Sequence, residues 1–183
     1  NKLQDTFPCS QSIQVFEMSA LHELPTFGME LANKKNNCKF YSEEISLLGP
    51  SWGEDSNQLI NSIVNLMSKR PNENCYIACQ QLGEATTKVK RESTSFVHRN
   101  AMWKPWITAS WEPNDTDGRN KSLLWLKEVW MALASNCPGI HLAQMHQHLQ
   151  WHEMEIQQAF EEWLPGLRKL KALYDPHGIL PRL

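Results

Sequence analysis

The chain has no apolar run approaching the ~18 residues that a bilayer-spanning helix needs, so no membrane partner is expected. It lacks a dominant charge. Eighteen Lys and Arg stand against 20 Asp and Glu, a net of −2, which gives no reason to expect nucleic acid or an anionic surface as partner. Glycine is scarce, 8 in 183 residues, and no glycine-rich segment is present to cradle a phosphate. Internal repeats and low-complexity stretches are also missing. The chain opens at Asn1 without Met or a targeting segment, so the expectation is that something was removed or that it is a piece of a longer product.

The five cysteines, Cys9, Cys38, Cys75, Cys79 and Cys137, are an odd number without metal-site spacing. Cys75 and Cys79 fall on one face of a predicted strand, ~13 Å apart, too far for a disulfide. Buried free thiols are the expectation. Bridges in a secreted protein are the alternative, because Asn114-Asp-Thr116 and Asn120-Lys-Ser122 are glycosylation sequons. The compartment stays open.

What is present suits one domain over residues 1–183, burying roughly 70% of its unfolded surface, with 1–11 a poorly ordered lead-in. Eight tryptophans favour a wide core, a ligand pocket or an interface. Strands are expected around Ser12–Met18, Cys38–Tyr41, Cys75–Leu82, Thr86–Val89, Thr94–Val97 and Trp106–Trp111, with a loop over Arg99–Pro105. Helices are expected from an Asp55 cap to Lys69, over Asn120–Ser135 after a polar turn at Asn114–Gly118, and from Met154. The closing run carries Leu164, Leu167, Leu170 and Leu173 as a stripe, basic residues late, and a stop at Asp175-Pro176. Strands followed by helices, without βαβα alternation, predict an α+β fold: an antiparallel sheet with helices packed on one face.

The closing run, Leu-x-x-Leu-Lys-x-x-Tyr-Asp-Pro-x-Gly-Ile ending at Ile179, resembles the C-terminal signature of the berberine bridge enzyme-like flavin oxidases, in the vanillyl-alcohol oxidase superfamily. Two upstream segments resemble the same family in the right order. They are Leu82-Gly-Glu-Ala-Thr-Thr-Lys-Val89 and Ser95-Phe-Val-His-Arg99, followed by a strand ending at Trp111. The resemblance implies the C-terminal α+β substrate domain, which covers a flavin that a separate N-terminal domain holds. That FAD-binding domain is not in this sequence, so no cofactor is expected here, with FAD as the alternative if a separate FAD domain exists. The flavin-facing motif also departs from the family. Its Tyr-x-Asn-Tyr stands here as His141-Leu142-Ala143-Gln144, and its Gly-x-Asn-Tyr as Glu161-Glu162-Trp163-Leu164.

These departures suggest a pocket turned to flavin-independent work on a small hydrophobic organic molecule: cyclisation, isomerisation or a pericyclic step in secondary metabolism. The alternatives are the substrate-binding part of an FAD-linked oxidoreductase, or a non-enzymatic assembly protein. His141 is the acid–base candidate and Gln144 a donor. His98, Trp106, Thr108, Ser110 and Trp111 are the substrate-binding candidates. Trp106 and Trp111 differ by an odd number, so they point to opposite faces of an extended strand, while Thr108 and Ser110 share the face of Trp106. His141, His146, His148 and His152 form a cluster in which His148 and His152 would lie one turn apart on a helix, as zinc ligands can, but no Cys or carboxylate stands at companion spacing, so no metal is expected. A homodimer closing an apolar face is expected of a free-standing domain.

Overall fold

The structure, a computed structural model, describes residues 40–183 apart from 52, 54, 55, 84 and 143–145. The lead-in, the strand expected at Ser12–Met18, most of the one expected at Cys38–Tyr41, the Asp55 cap and Gln144 lie outside the described residues. Four strands, β1 (Tyr41–Leu48), β2 (Tyr76–Gln81), β3 (Trp103–Trp111) and β4 (Gly139–His141), form one antiparallel sheet in the order β2-β3-β1-β4. Between and after them run α1 (Ser56–Ser68), α2 (Thr116–Leu133), α3 (His152–Phe160) and α4 (Leu164–Tyr174). The fold is α+β, with the sheet backed by helices.

Alternation on the strands decides the core. Ile45 and Leu47 of β1 and Trp103, Ile107 and Ala109 of β3 point to one face, where they meet Trp125, Leu126, Val129, Trp130 and Leu133 of α2. The spacing on α2 is that of one helical stripe. Three large core indoles are buried with their N–H groups paired. Trp103 donates to Ser51 O (2.8 Å), Trp125 to Leu66 O (2.8 Å) and Trp130 to Gln158 Oε1 (3.1 Å). Cys75, Cys79 and Cys137 are free thiols. Burial pushes the Cys137 thiol up to about 12, out of reach of ordinary thiolate chemistry.

Several expected boundaries move, each for a local reason. The strand placed at Trp106 begins at Trp103 and takes in Pro105. The β1–β3 ladder runs as far as Ser46 opposite Trp106, breaks, and is met again by the Gly49–Trp103 bridge, three residues on in each strand. Pro105 has no N–H, so the gap falls where it costs least. The polar turn expected at Asn114–Gly118 reaches only Asn114, and α2 starts within it at Thr116, because Asp115 accepts from Gly118 N (2.8 Å) and caps the helix. The strands expected at Thr86–Val89 and Thr94–Val97 are a turn and an irregular segment beside a short 3₁₀ turn at Arg91–Ser93.

The apolar faces of three helices are also narrower than expected. On α1 only Leu59 is buried, while Ile60 and Val64 are exposed; on α2, Leu124 is exposed. On α4 only Leu164 is buried, and Leu170 and Leu173 face solvent. On α4 the cause is arithmetic. A strict three-residue repeat drifts by ~60° per step on a 3.6-residue turn, so Leu164 and Leu173 end up ~180° apart.

Candidate functional site

The sheet face opposite the core is polar. β1 contributes Glu44, Ser46 and Leu48; β3 contributes Lys104, Trp106, Thr108 and Ser110; His141 of β4 stands opposite Ser46. Thr108 and Ser110 are buried, and Thr108 Oγ1 lies 3.1 Å from Glu44 Oε1. The Trp106 indole N–H is buried without a partner, and the Lys104 ammonium sits 5.7 Å from the centre of its ring.

At the β4 end this face runs into a cleft of about 250 Å³, lined among the described residues by Leu48, Leu82, Phe96, Arg99, Lys104 and His141, with His98 behind. Phe96 is its aromatic centre. Its ring meets His98 (6.2 Å) and His141 (6.4 Å) edge-on, and the Arg99 guanidinium lies 5.1 Å over it. A larger hollow of about 710 Å³ shares Leu48, His98, Arg99 and Ala101 as a wall.

The two histidines of the cleft play different parts. His98 is buried, its Nε2 lies 2.8 Å from Gln158 O, and its Nδ1 lies 3.6 Å from Glu161 Oε1. Its ring fills the space over Gly139, where an added Cβ would come within 2.5 Å of Nδ1. His98 therefore joins the loop before β3 to α3 and β4. His141 is exposed at the rim. Partial burial, then the nearby Lys104 charge, holds its pKa below the ordinary imidazole value, so at neutral pH it is a neutral acceptor. Glu161 lines the neighbouring larger hollow and pairs with Arg91 (2.5 Å). It has φ 48° and ψ −128°, a conformation that glycine favours, at the position where the family motif has Gly.

Of the sequence candidates, the structure brings His98 and His141 into one cleft. Trp106, Thr108 and Ser110 continue the same sheet face beyond it. Trp111 stands on the opposite, helix-packed face with Arg119 of α2 5.7 Å from its ring centre. Phe96, Arg99 and Lys104 were not singled out as site residues. Phe96 and Arg99 flank His98 in a motif already noted, and Lys104 is two residues before Trp106 and so on its face.

His146 and His148 belong to a separate network, buried at His146 and exposed at His148. His146 Nδ1 lies 2.5 Å from Glu155 Oε1 and its Nε2 lies 3.1 Å from Glu43 Oε2, while His148 Nε2 bonds Glu43 Oε1 at 2.7 Å. Burial opposes charge on His146, but the two carboxyls outweigh it and push its pKa up to about 9. Glu43 is held below the usual carboxylate value; burial opposes this, and His146 and His148 overcome it. No group of three His, Cys, Asp or Glu among the described residues is placed to hold a metal ion.

The described residues do not fit the holding of FAD. The backbones at Gly49 and Gly139 approach the protein's own Trp103 and His98 side chains rather than an empty cradle. No glycine-rich loop opens a helix among the described residues.

No family model matches the chain. It is similar to the uncharacterized FAD-linked oxidoreductase YgaK of Bacillus subtilis, 23% identical over 129 residues that make up 68% of this chain and 26% of that protein. Among solved structures it resembles BBE-like 1 of Physcomitrella patens (TM-score 0.61, 19% identity, 81% of this chain and 31% of that one). It also resembles berberine bridge enzyme from Eschscholzia californica (TM-score 0.58, 16% identity, 84% and 34%). A third is GilR, an oxidoreductase that catalyses the terminal step of gilvocarcin biosynthesis (TM-score 0.62, 13% identity, 80% and 33%). The chain spans about a quarter of the curated relative and about a third of each structure. The fold is that of the substrate domain of berberine bridge enzyme-like oxidases.

Proposed function

We propose that this chain supplies the small-molecule pocket of an FAD-linked oxidoreductase of the berberine bridge enzyme-like kind, with FAD held by residues other than those described. The observation that carries the reading is the cleft at the end of the polar sheet face. It joins an aromatic floor at Phe96, a neutral imidazole at His141 and a fixed His98 on the fold of a substrate domain. In this reading a small organic substrate lies against Phe96. His141 accepts a hydrogen bond or a proton from a substrate hydroxyl, and His98 positions the loop that bears Phe96. Gln144, on the segment after β4, is a further donor in the same proposal, and Trp106, Thr108 and Ser110 extend the binding face. FAD, when present, supplies the redox chemistry.

Mixing the chain with FAD and following flavin absorbance tests the division of labour. Weak or no binding is expected, and tight stoichiometric binding to this chain would overturn it. Flavin-free acid–base chemistry, an isomerisation or cyclisation, is the second reading, favoured by the neutral state of His141 beside a largely apolar cleft. Turnover without flavin that is lost in His141→Gln would establish that reading in place of the first. With the second reading, in which the domain stands alone, a homodimer is proposed, supported by the exposed Leu170, Leu173, Tyr174, Ile179 and Leu180 at the α4 end. Sedimentation velocity across a micromolar concentration series is expected to show the dimer, and a monomer throughout would refute it.

A further inference from the structure

Two cations of the cleft, and one indole N–H on the sheet face beyond it, have donor capacity that no acceptor fills. Arg99 reaches Thr94 Oγ1 through one terminal nitrogen (2.5 Å), but its Nε is buried and has no partner. The Lys104 ammonium sits over the Trp106 ring, and no carboxylate among the described residues pairs with it or with Arg99. The Trp106 N–H, on the same face as Lys104, is buried and unpaired.

Arg91, Lys121, Arg168 and Lys171 each face a carboxylate, as Arg99 and Lys104 do not. Two cations without a counter-ion therefore converge on one cleft, one of them with a desolvated N–H, beside an aromatic ring. Leaving a buried donor unpaired costs free energy that a ligand acceptor can recover.

We propose that the cleft recognises an anion: its ligand is an aromatic molecule bearing a carboxylate, the ring against Phe96 and the carboxylate between Arg99 and Lys104. This rests on the small-molecule reading of the cleft and adds the charge class. Guanidinium and ammonium groups hold a carboxylate through charge-assisted hydrogen bonds, about twice as strong as neutral ones. With the negative charge taken up by Lys104 and Arg99, His141 at the rim remains free to act on another group of the same molecule.

Titration calorimetry with 2-naphthoate and its neutral amide, 2-naphthamide, tests this. The acid is expected to bind about tenfold more tightly than the amide, a factor that one charge-assisted bond supplies. Lys104→Met keeps the aliphatic stem and should remove most of that preference, and Arg99→Gln the remainder, with unchanged thermal melting confirming that each variant is folded. Equal affinity of acid and amide in the unaltered protein would refute the anion site while leaving a small-molecule cleft. A preference that survives in both variants would refute these residues as its source. Binding of neither probe would refute the cleft reading along with it.

Discussion

Gly139 shows how tightly single residues hold the site. A Cβ there would lie 2.5 to 2.8 Å from three atoms of the His98 ring, and that ring cannot swing away without losing its bond to Gln158 O. Gly139→Ala is therefore expected to destabilise the fold by about 1–3 kcal/mol, an overpacking cost. Adding His98→Ala to it should return part of the loss, since the second change removes the clashing ring. Urea unfolding of the two single variants and the double one measures the coupling, and strictly additive effects would contradict the contact. The constraint comes from packing rather than backbone conformation, which is why sequence reading noted His98 and not its glycine partner. Alternation along β3 was legible from numbering alone, and it placed Trp106, Thr108 and Ser110 on one face and Trp111 on the other. The partners of that face were not legible. Phe96, Arg99, Lys104 and His141 come from a loop and two strands that meet only once the sheet has formed.

At the scale of elements, α4 and its tail are tied by polar contacts more than by the leucine repeat. Asp175 pairs with Lys171 and accepts from Ile179 N (2.7 Å) and Leu180 N (3.0 Å), while Lys171 reaches Leu180 O (3.0 Å). Arg168 adds a bond to Leu183 O (3.1 Å) and a pair with Glu153 of α3 (2.6 Å). The Tyr-Asp-Pro-x-Gly run is thus a hydrogen-bonded terminus in which Pro176 stops the helix and Asp175 collects the orphan amides. Asp175→Ala should leave the helix in place and release the tail. Hydrogen exchange at the Ile179 and Leu180 amides is expected to quicken about tenfold, the factor for losing one net hydrogen bond. Unchanged exchange there would show that something other than Asp175 holds the tail. The sequence exposed the stop but misjudged the stripe, because a three-residue repeat looks continuous on paper while it winds around the helix. In the same way Pro105 read as loop, although the β1–β3 ladder simply skips its level.

Across the whole molecule, the His146 network joins the β1 strand of the sheet to α3, so its protonation bears on global stability. His146 has its pKa raised from 6.5 to about 9 in the folded state, flanked by the Glu155 and Glu43 carboxyls. The stability it contributes is therefore fully present below about pH 6.5 and is lost as pH rises through about 9. With one pKa unit worth about 1.4 kcal/mol, the loss is on the order of 3 kcal/mol. Glu43 works in the opposite sense. Its folded pKa lies below 4.5, so its contribution is present above that value and fades as pH falls through the lowered one. Stability from this network should hold between about pH 4.5 and 6.5 and decline toward alkaline pH, where a protein held only by carboxylate pairs would show a plateau. Urea unfolding midpoints between pH 5 and pH 10 measure this. His146→Gln keeps hydrogen-bonding groups but cannot titrate, so its profile should stay flat from 6.5 to 9 and lie below that of the unaltered protein at pH 6. Equal alkaline slopes in the two proteins would mean that the decline originates elsewhere, and the buried imidazolium would then have no part in joining sheet to helix.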